Sequence, residues 1–77
     1  MYIIYDTKTG EYQTSFGDWV GVGRGHLIHH EANVFDTVDE AERMITTILE
    51  GWDKRHTVPP REEFMVREVR SAGWELV

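Results

Sequence analysis

Cysteine is absent from this chain of 77 residues. That excludes a disulfide framework, a thiolate metal site and a thiol nucleophile together, and it fits a reducing compartment. Long apolar runs are missing too. No stretch approaches the roughly 18 residues of a membrane span. The chain starts directly in strand-like Met1-Tyr2-Ile3-Ile4-Tyr5 with no basic, apolar leader before it, so the expected location is the cytoplasm, that of the host if a phage encodes it. Basic charge is scarce: 8 Lys and Arg stand against 14 Asp and Glu, a net charge of −6. A nucleic-acid binder needs a basic stripe to displace counterions from phosphates, so direct binding to DNA or RNA is not expected. Proline occurs only twice, as the pair Pro59-Pro60. Neither can donate to a sheet or a helix interior, so Thr57–Pro60 reads as a connector.

What the chain does have is one strong amphipathic segment, Phe35–Trp52. Ala41, Met44, Ile45, Ile48, Leu49 and Trp52 fall on one stripe at helical spacing, with Glu40, Arg43, Thr47 and Glu50 opposite. Thr37 is placed as N-cap and Glu40 as its capping-box partner, with Asp39 and Glu40 at the positive end of the dipole. Gly51 is placed to end the helix, with Lys54, Arg55 and His56 favouring its negative end, although Trp52 continues the stripe and allows one further turn past Gly51. Asp39 and Arg43 are spaced as an ion pair, while Glu42 reads as a solvated face residue.

Strands surround that helix. Tyr2–Asp6 alternates Tyr2 and Ile4 against Ile3 and Tyr5, apolar on both faces, as a central strand covered on both sides or one open to a partner. Thr7-Lys8-Thr9-Gly10 reads as a turn with Gly10 at positive φ, and Glu11–Ser15 as the returning strand. Trp19-Val20 and Val22 suit a short third strand among glycines, or the whole segment Phe16–Gly25 is a mobile loop, and Leu27–Phe35 suits an irregular extension. Phe64–Val69 reads as a strand, Ser71-Ala72-Gly73 as a turn and Trp74–Val77 as a last strand. The expected fold is a single α+β domain over residues 1–77. It has a small antiparallel sheet of four to five strands with one amphipathic helix packed on one face. One helix covers only part of such a sheet, which leaves the opposite face for a partner or for self-association.

Three patterns invite chemistry and resist it. His26-Leu27-Ile28-His29-His30-Glu31 offers a zinc ligand set, but in an extended segment His26 and His30 point away from His29 and Glu31, and the spacing matches no metal motif. Solvated or partner-contacting histidines are the plainer account, and no metal or cofactor is expected. Gly21-Val22-Gly23-Arg24-Gly25 resembles a phosphate loop, yet no helix N-terminus follows it directly and no Gly-Lys-Ser/Thr is present. Asp36, Asp39, Glu40 and Glu42 form an acidic run that capping and the helix dipole mostly absorb. No nucleophile and base arrangement can be assembled, and a domain this small leaves little room for a pocket of about 300 Å³, so an enzyme is not expected.

Aromatics point elsewhere. Three each of Trp, Tyr and Phe exceed what one helix on a small sheet needs for its core. Trp52 belongs to the helix stripe, whereas Trp19, between Asp18 and glycines, is the expected exposed anchor.

Tyr2-Ile3-Ile4, Gly10-Glu11-Tyr12, Ala32, Phe35, Thr37, Glu40-Ala41 and Val66-Arg67-Glu68-Val69 together resemble a pattern of short phage- or prophage-encoded α+β proteins of unassigned function. The shared pattern is a cap and a core, and it carries over no functional residue. The chain departs from it over Phe16–Glu31 and Lys54–Pro60. What the resemblance implies is a small accessory protein that binds and blocks a host protein. The expected function is thus a non-catalytic protein-binding module. An anti-CRISPR-like inhibitor of a host defence or nucleic-acid-handling protein would work through acidic and aromatic surface. Asp18, Trp19, Arg24, His29 and Glu31 are its expected contacts, with Glu62 and Glu63 as an acidic rim. The alternative is an assembly protein that dimerises through the open sheet face.

Overall fold

The computed structural model describes residues 1–21, 32–70 and 75–76. Strands β1 (Tyr2–Asp6), β2 (Glu11–Gln13) and β3 (Trp19–Gly21) precede helix α1 (Val38–Glu50), and β4 (Phe64–Arg70) and β5 (Glu75–Leu76) follow it. They form one antiparallel sheet in the order β3-β2-β1-β4-β5, with α1 against it, the α+β fold that the pattern predicts. Ser71–Gly73, Trp74 and Val77 lie outside the described residues.

Local signals place the elements. Gly10 takes φ +74°, which an L side chain adopts only at a cost, and this closes the β1–β2 turn. The Asp6 carboxylate fixes that turn by accepting from the Lys8 and Thr9 amides at 2.9 and 3.4 Å. Thr37 caps α1 in extended backbone, its hydroxyl accepting the Glu40 amide at 3.2 Å. Among the described residues no bond returns from the Glu40 carboxylate, so half of the capping box forms.

The helix ends at Gly51, but at φ −87° and so without the left-handed turn that a glycine there suggests. Its amide bonds to the Thr47 carbonyl and that of Trp52 to Leu49 in a tightening last turn. Two of the cations beyond engage Asp53 instead of the helix terminus. Arg55 forks onto Asp53 at 2.9–3.1 Å, holding that carboxyl below its usual range, and His56 lies 4.0 Å from the same group. Arg43 reaches the backbone carbonyl of Asp39 rather than its carboxylate.

Glu42 is not a free face residue. Its carboxylate meets Arg61 at 2.7 Å, and Arg61 also donates to the Glu42 carbonyl and the Thr46 hydroxyl. These bonds tie the short 3₁₀ turn Arg61–Glu63 to the helix.

Alternation along β1 divides the core. Ile4 faces α1 and packs with Ala41, Ile45 and Phe64, flanked by Met44, Ile48, Leu49 and Trp52. Ile3 faces the other way and packs with Tyr12, Ala32 and Val69. Ile3 and Ile4 are both 0 % exposed, and burying each side chain stabilises by about 1.5–3 kcal/mol. Of the two readings of β1, a strand covered on both sides is the one found. On the sheet face turned from α1, Ile3, Tyr12 and Val69 are buried at the centre with Ala32 packed against them.

The irregular segment at Ala32–Phe35 has a physical reason. β1 and β2 pair only over Tyr5–Tyr12 and Asp6–Glu11, then separate. Into the gap comes the chain after residue 31. Asn33 donates to the Gln13 carbonyl at 3.1 Å, and Phe35 and Tyr2 exchange backbone bonds at 2.8 Å. The segment satisfies groups on both separated strands, which a regular strand in one register would not.

Candidate functional site

A cleft of about 410 Å³ opens beyond the C-terminal end of α1. The last residue of β1, the turn after it and the first residue of β2 give it Asp6, Lys8 and Glu11; β3 gives Trp19. Trp52, just past the helix, and Pro59-Pro60 close another wall, and Glu63 enters from the 3₁₀ turn. The expectation that so small a domain lacks room for a pocket of this size is therefore corrected. The volume lies between the β1–β2 turn with Trp19 on one side and the segment after α1 on the other, where the proline connector, unable to join the sheet, supplies Thr57, Pro59 and Pro60.

The cleft wall rests on Phe64. Its ring lies 5.4 Å from that of Trp19 and 6.4 Å from that of Trp52, both tilted, the arrangement ring quadrupoles favour. Register explains this. Gln13 pairs with Trp19, Asp6 with both Glu11 and Phe64, and all of these lie on the sheet face toward α1. Trp19 is consequently half-buried against the core, which corrects its assignment as the exposed anchor.

Electrostatics in the cleft are unbalanced. Among the described residues, Asp6, Glu11 and Glu63 face one cation, Lys8. Asp6 is buried and occupied with the turn amides. Burial raises the Glu63 carboxyl above its ordinary range, and a hydrogen bond to Asp6 and the charge of Asp6 raise it further, with Lys8 pulling the other way. The Glu63 backbone carbonyl is held as well, accepting both the amide and the hydroxyl of Thr7 at 2.8 Å.

A second feature lies on the turn that leads into β3, just before Trp19. Phe16, unremarked in the sequence, is 81 % exposed. It occupies the third position of a turn in which the Gly17 amide donates to the Thr14 carbonyl at 3.1 Å. Gly17 takes φ +87°, the conformation that lets a type I turn rejoin the strand. The Thr14 hydroxyl accepts the Asp18 amide at 3.1 Å, and the Thr14 amide donates to the Asp18 carbonyl at 2.8 Å. A large apolar ring thus stands out from a fixed loop, next to the exposed Asp18 carboxylate. The local signal was the Phe-Gly pair before Asp18, a turn sequence with an aromatic where a polar residue is usual.

The expected contact residues divide accordingly. Trp19 and Glu63 come together in the cleft. Asp18 stands on the β2–β3 turn, and Glu62 is exposed on the 3₁₀ turn. Arg24, His29 and Glu31 lie outside the described residues, as do His26, His30, Val22, Gly23 and Gly25. Among the described residues no group of His, Asp and Glu is arranged to hold a metal ion, and no helix is long and apolar enough to cross a membrane. Comparison with protein-family models, with curated proteins and with solved structures finds no match to this chain.

Proposed function

We propose that this protein is a non-catalytic binding module that docks on another protein through the β2–β3 turn, with Phe16 as the apolar anchor and Asp18 as its charged neighbour. The observation that carries this reading is the 81 % exposure of Phe16 on a hydrogen-bonded loop. A fixed aromatic loses little conformational freedom on docking and buries a large area, which is why such residues dominate interface energies. The net charge of −6 directs the module toward a partner with basic surface, such as a nucleic-acid-handling protein. With the resemblance to short phage proteins, this favours an inhibitor of a host defence system, anti-CRISPR-like in action and working in the host cytoplasm.

The experiment is quantitative capture from a bacterial host lysate by the wild type and by Phe16→Ala and Asp18→Lys. Both positions are exposed, so both variants keep the wild-type melting temperature. Loss of an interface anchor of about 2 kcal/mol or more lowers affinity some thirtyfold for Phe16→Ala. Undiminished capture by both folded variants overturns the assignment of this surface. The alternative, dimerisation through the sheet, retains Met65, 50 % exposed, on the face turned from α1, and sedimentation at rising concentration tests it.

A further inference from the structure

We propose that the cleft between Trp19, Trp52 and the Pro59-Pro60 connector receives an arginine side chain of the protein partner. This rests on the reading of the chain as a protein-binding module and adds a second contact, distinct from the Phe16 turn.

Chemistry and shape agree on the occupant. Two indoles beside carboxylates suit a delocalised, weakly hydrated cation, which can lie against a ring and bond to a carboxylate in one plane. A lysine ammonium offers a point charge with a tighter hydration shell and suits indoles beside carboxylates less well. An anion is disfavoured by Asp6, Glu11 and Glu63, and a purely apolar group would leave those carboxylates facing it without a countercharge.

Within the described residues the chain does not supply the cation itself. Lys8 is the one cationic lining residue. Arg55 is forked onto Asp53, Arg61 is bound to Glu42 and Thr46, and Arg67 lies over the Tyr5 ring on the other sheet face. Because Phe64 supports both indoles from below, the walls exist before anything binds, and little reorganisation is needed.

The test needs no knowledge of the partner. The indole N–H resonances of Trp19 and Trp52 are followed by NMR as the full chain is titrated with N-acetyl-arginine N-methylamide. Neutral N-acetyl-citrulline N-methylamide and the corresponding lysine derivative run in parallel. Saturable shifts of both indoles with the arginine probe are expected, at least fivefold weaker with citrulline and weaker with lysine. Glu11→Gln and Glu63→Gln, each confirmed folded by its amide spectrum, weaken arginine binding at least threefold. Binding also weakens as pH falls and Glu63 takes up its proton. Equal response to arginine and citrulline, no saturable response, or unchanged binding in both variants overturns the proposal; lysine equal to arginine overturns the guanidinium assignment. Capture that depends on Phe16 together with a silent titration removes the cleft contact and keeps the module. A positive titration with capture indifferent to Phe16 and Asp18 does the reverse.

Discussion

Replacing Phe64 by leucine removes the ring that joins helix, sheet and cleft while keeping an apolar side chain in the core. Phe64 is buried among Ile4, Ala41 and Ile45 and supports Trp19 and Trp52. Each ring pair contributes about 0.5–1.5 kcal/mol beyond the area it buries, and leucine fills most but not all of the space. Together these give a loss of about 2 kcal/mol for Phe64→Leu, against about 4 kcal/mol for Phe64→Ala, which also leaves a cavity. The whole domain has only about 4–12 kcal/mol to lose. At about 4–8 °C per kcal/mol for a domain of this size, Phe64→Leu lowers the melting temperature by about 8–16 °C. Thermal unfolding followed by tryptophan fluorescence measures the drop. The near-ultraviolet circular dichroism of the indoles should weaken in the folded state as well. A melting temperature within about 3 °C of the wild type, with the indole spectrum intact, would refute the placement of Phe64 under both tryptophans.

The other predictions follow from single residues. Gly10→Ala, at φ +74°, costs about 1–2 kcal/mol in chemical denaturation, whereas Gly51→Ala, at φ −87° at the helix end, is close to neutral or slightly stabilising. The reverse order would contradict the assigned turn geometry. Thr37→Ala removes the acceptor for the Glu40 amide and costs about 1 kcal/mol, while Thr37→Asp retains the cap; equal losses in both would contradict the capping role. The Glu63 carboxyl is raised in the folded state, so its stabilising contribution is fully present below the ordinary carboxylate pKa and is lost as pH rises through the folded value. Glu63→Gln therefore flattens the dependence of melting temperature on pH and gains on the wild type as pH rises above the ordinary carboxylate range; parallel profiles would contradict it.

How much of this was legible depended on the distance over which each feature is decided. The helix was legible because its stripe and the Thr37 cap are local patterns, and the β1–β2 hairpin because Gly10 announces its own backbone conformation. The ion pair of Glu42 with Arg61 was not, since it links residues 19 positions apart that only the docking of the 3₁₀ turn brings together. Trp19 was misplaced for a similar reason. Its flanking glycines suggest exposure, but the Gln13–Trp19 register turns it toward Phe64. The cleft was invisible because four separate segments form it and none carries a motif. The buried cluster of Ile3, Tyr12 and Val69 on the far sheet face likewise needs the strand order, which alternation alone does not give. In the candidate site the sequence thus identified Asp18, Trp19 and Glu63 as residues of interest but assigned the exposed role to the wrong aromatic.

The central claim is that the Phe16 turn is where this module meets its partner. Photo-crosslinking measures that contact directly, with p-benzoylphenylalanine replacing Phe16 in one preparation and the exposed helix residue Glu50 in another. Irradiation in host lysate is predicted to yield one dominant protein adduct from position 16 and none of that adduct from position 50. The same adduct from both positions, or from position 50 alone, would contradict the account.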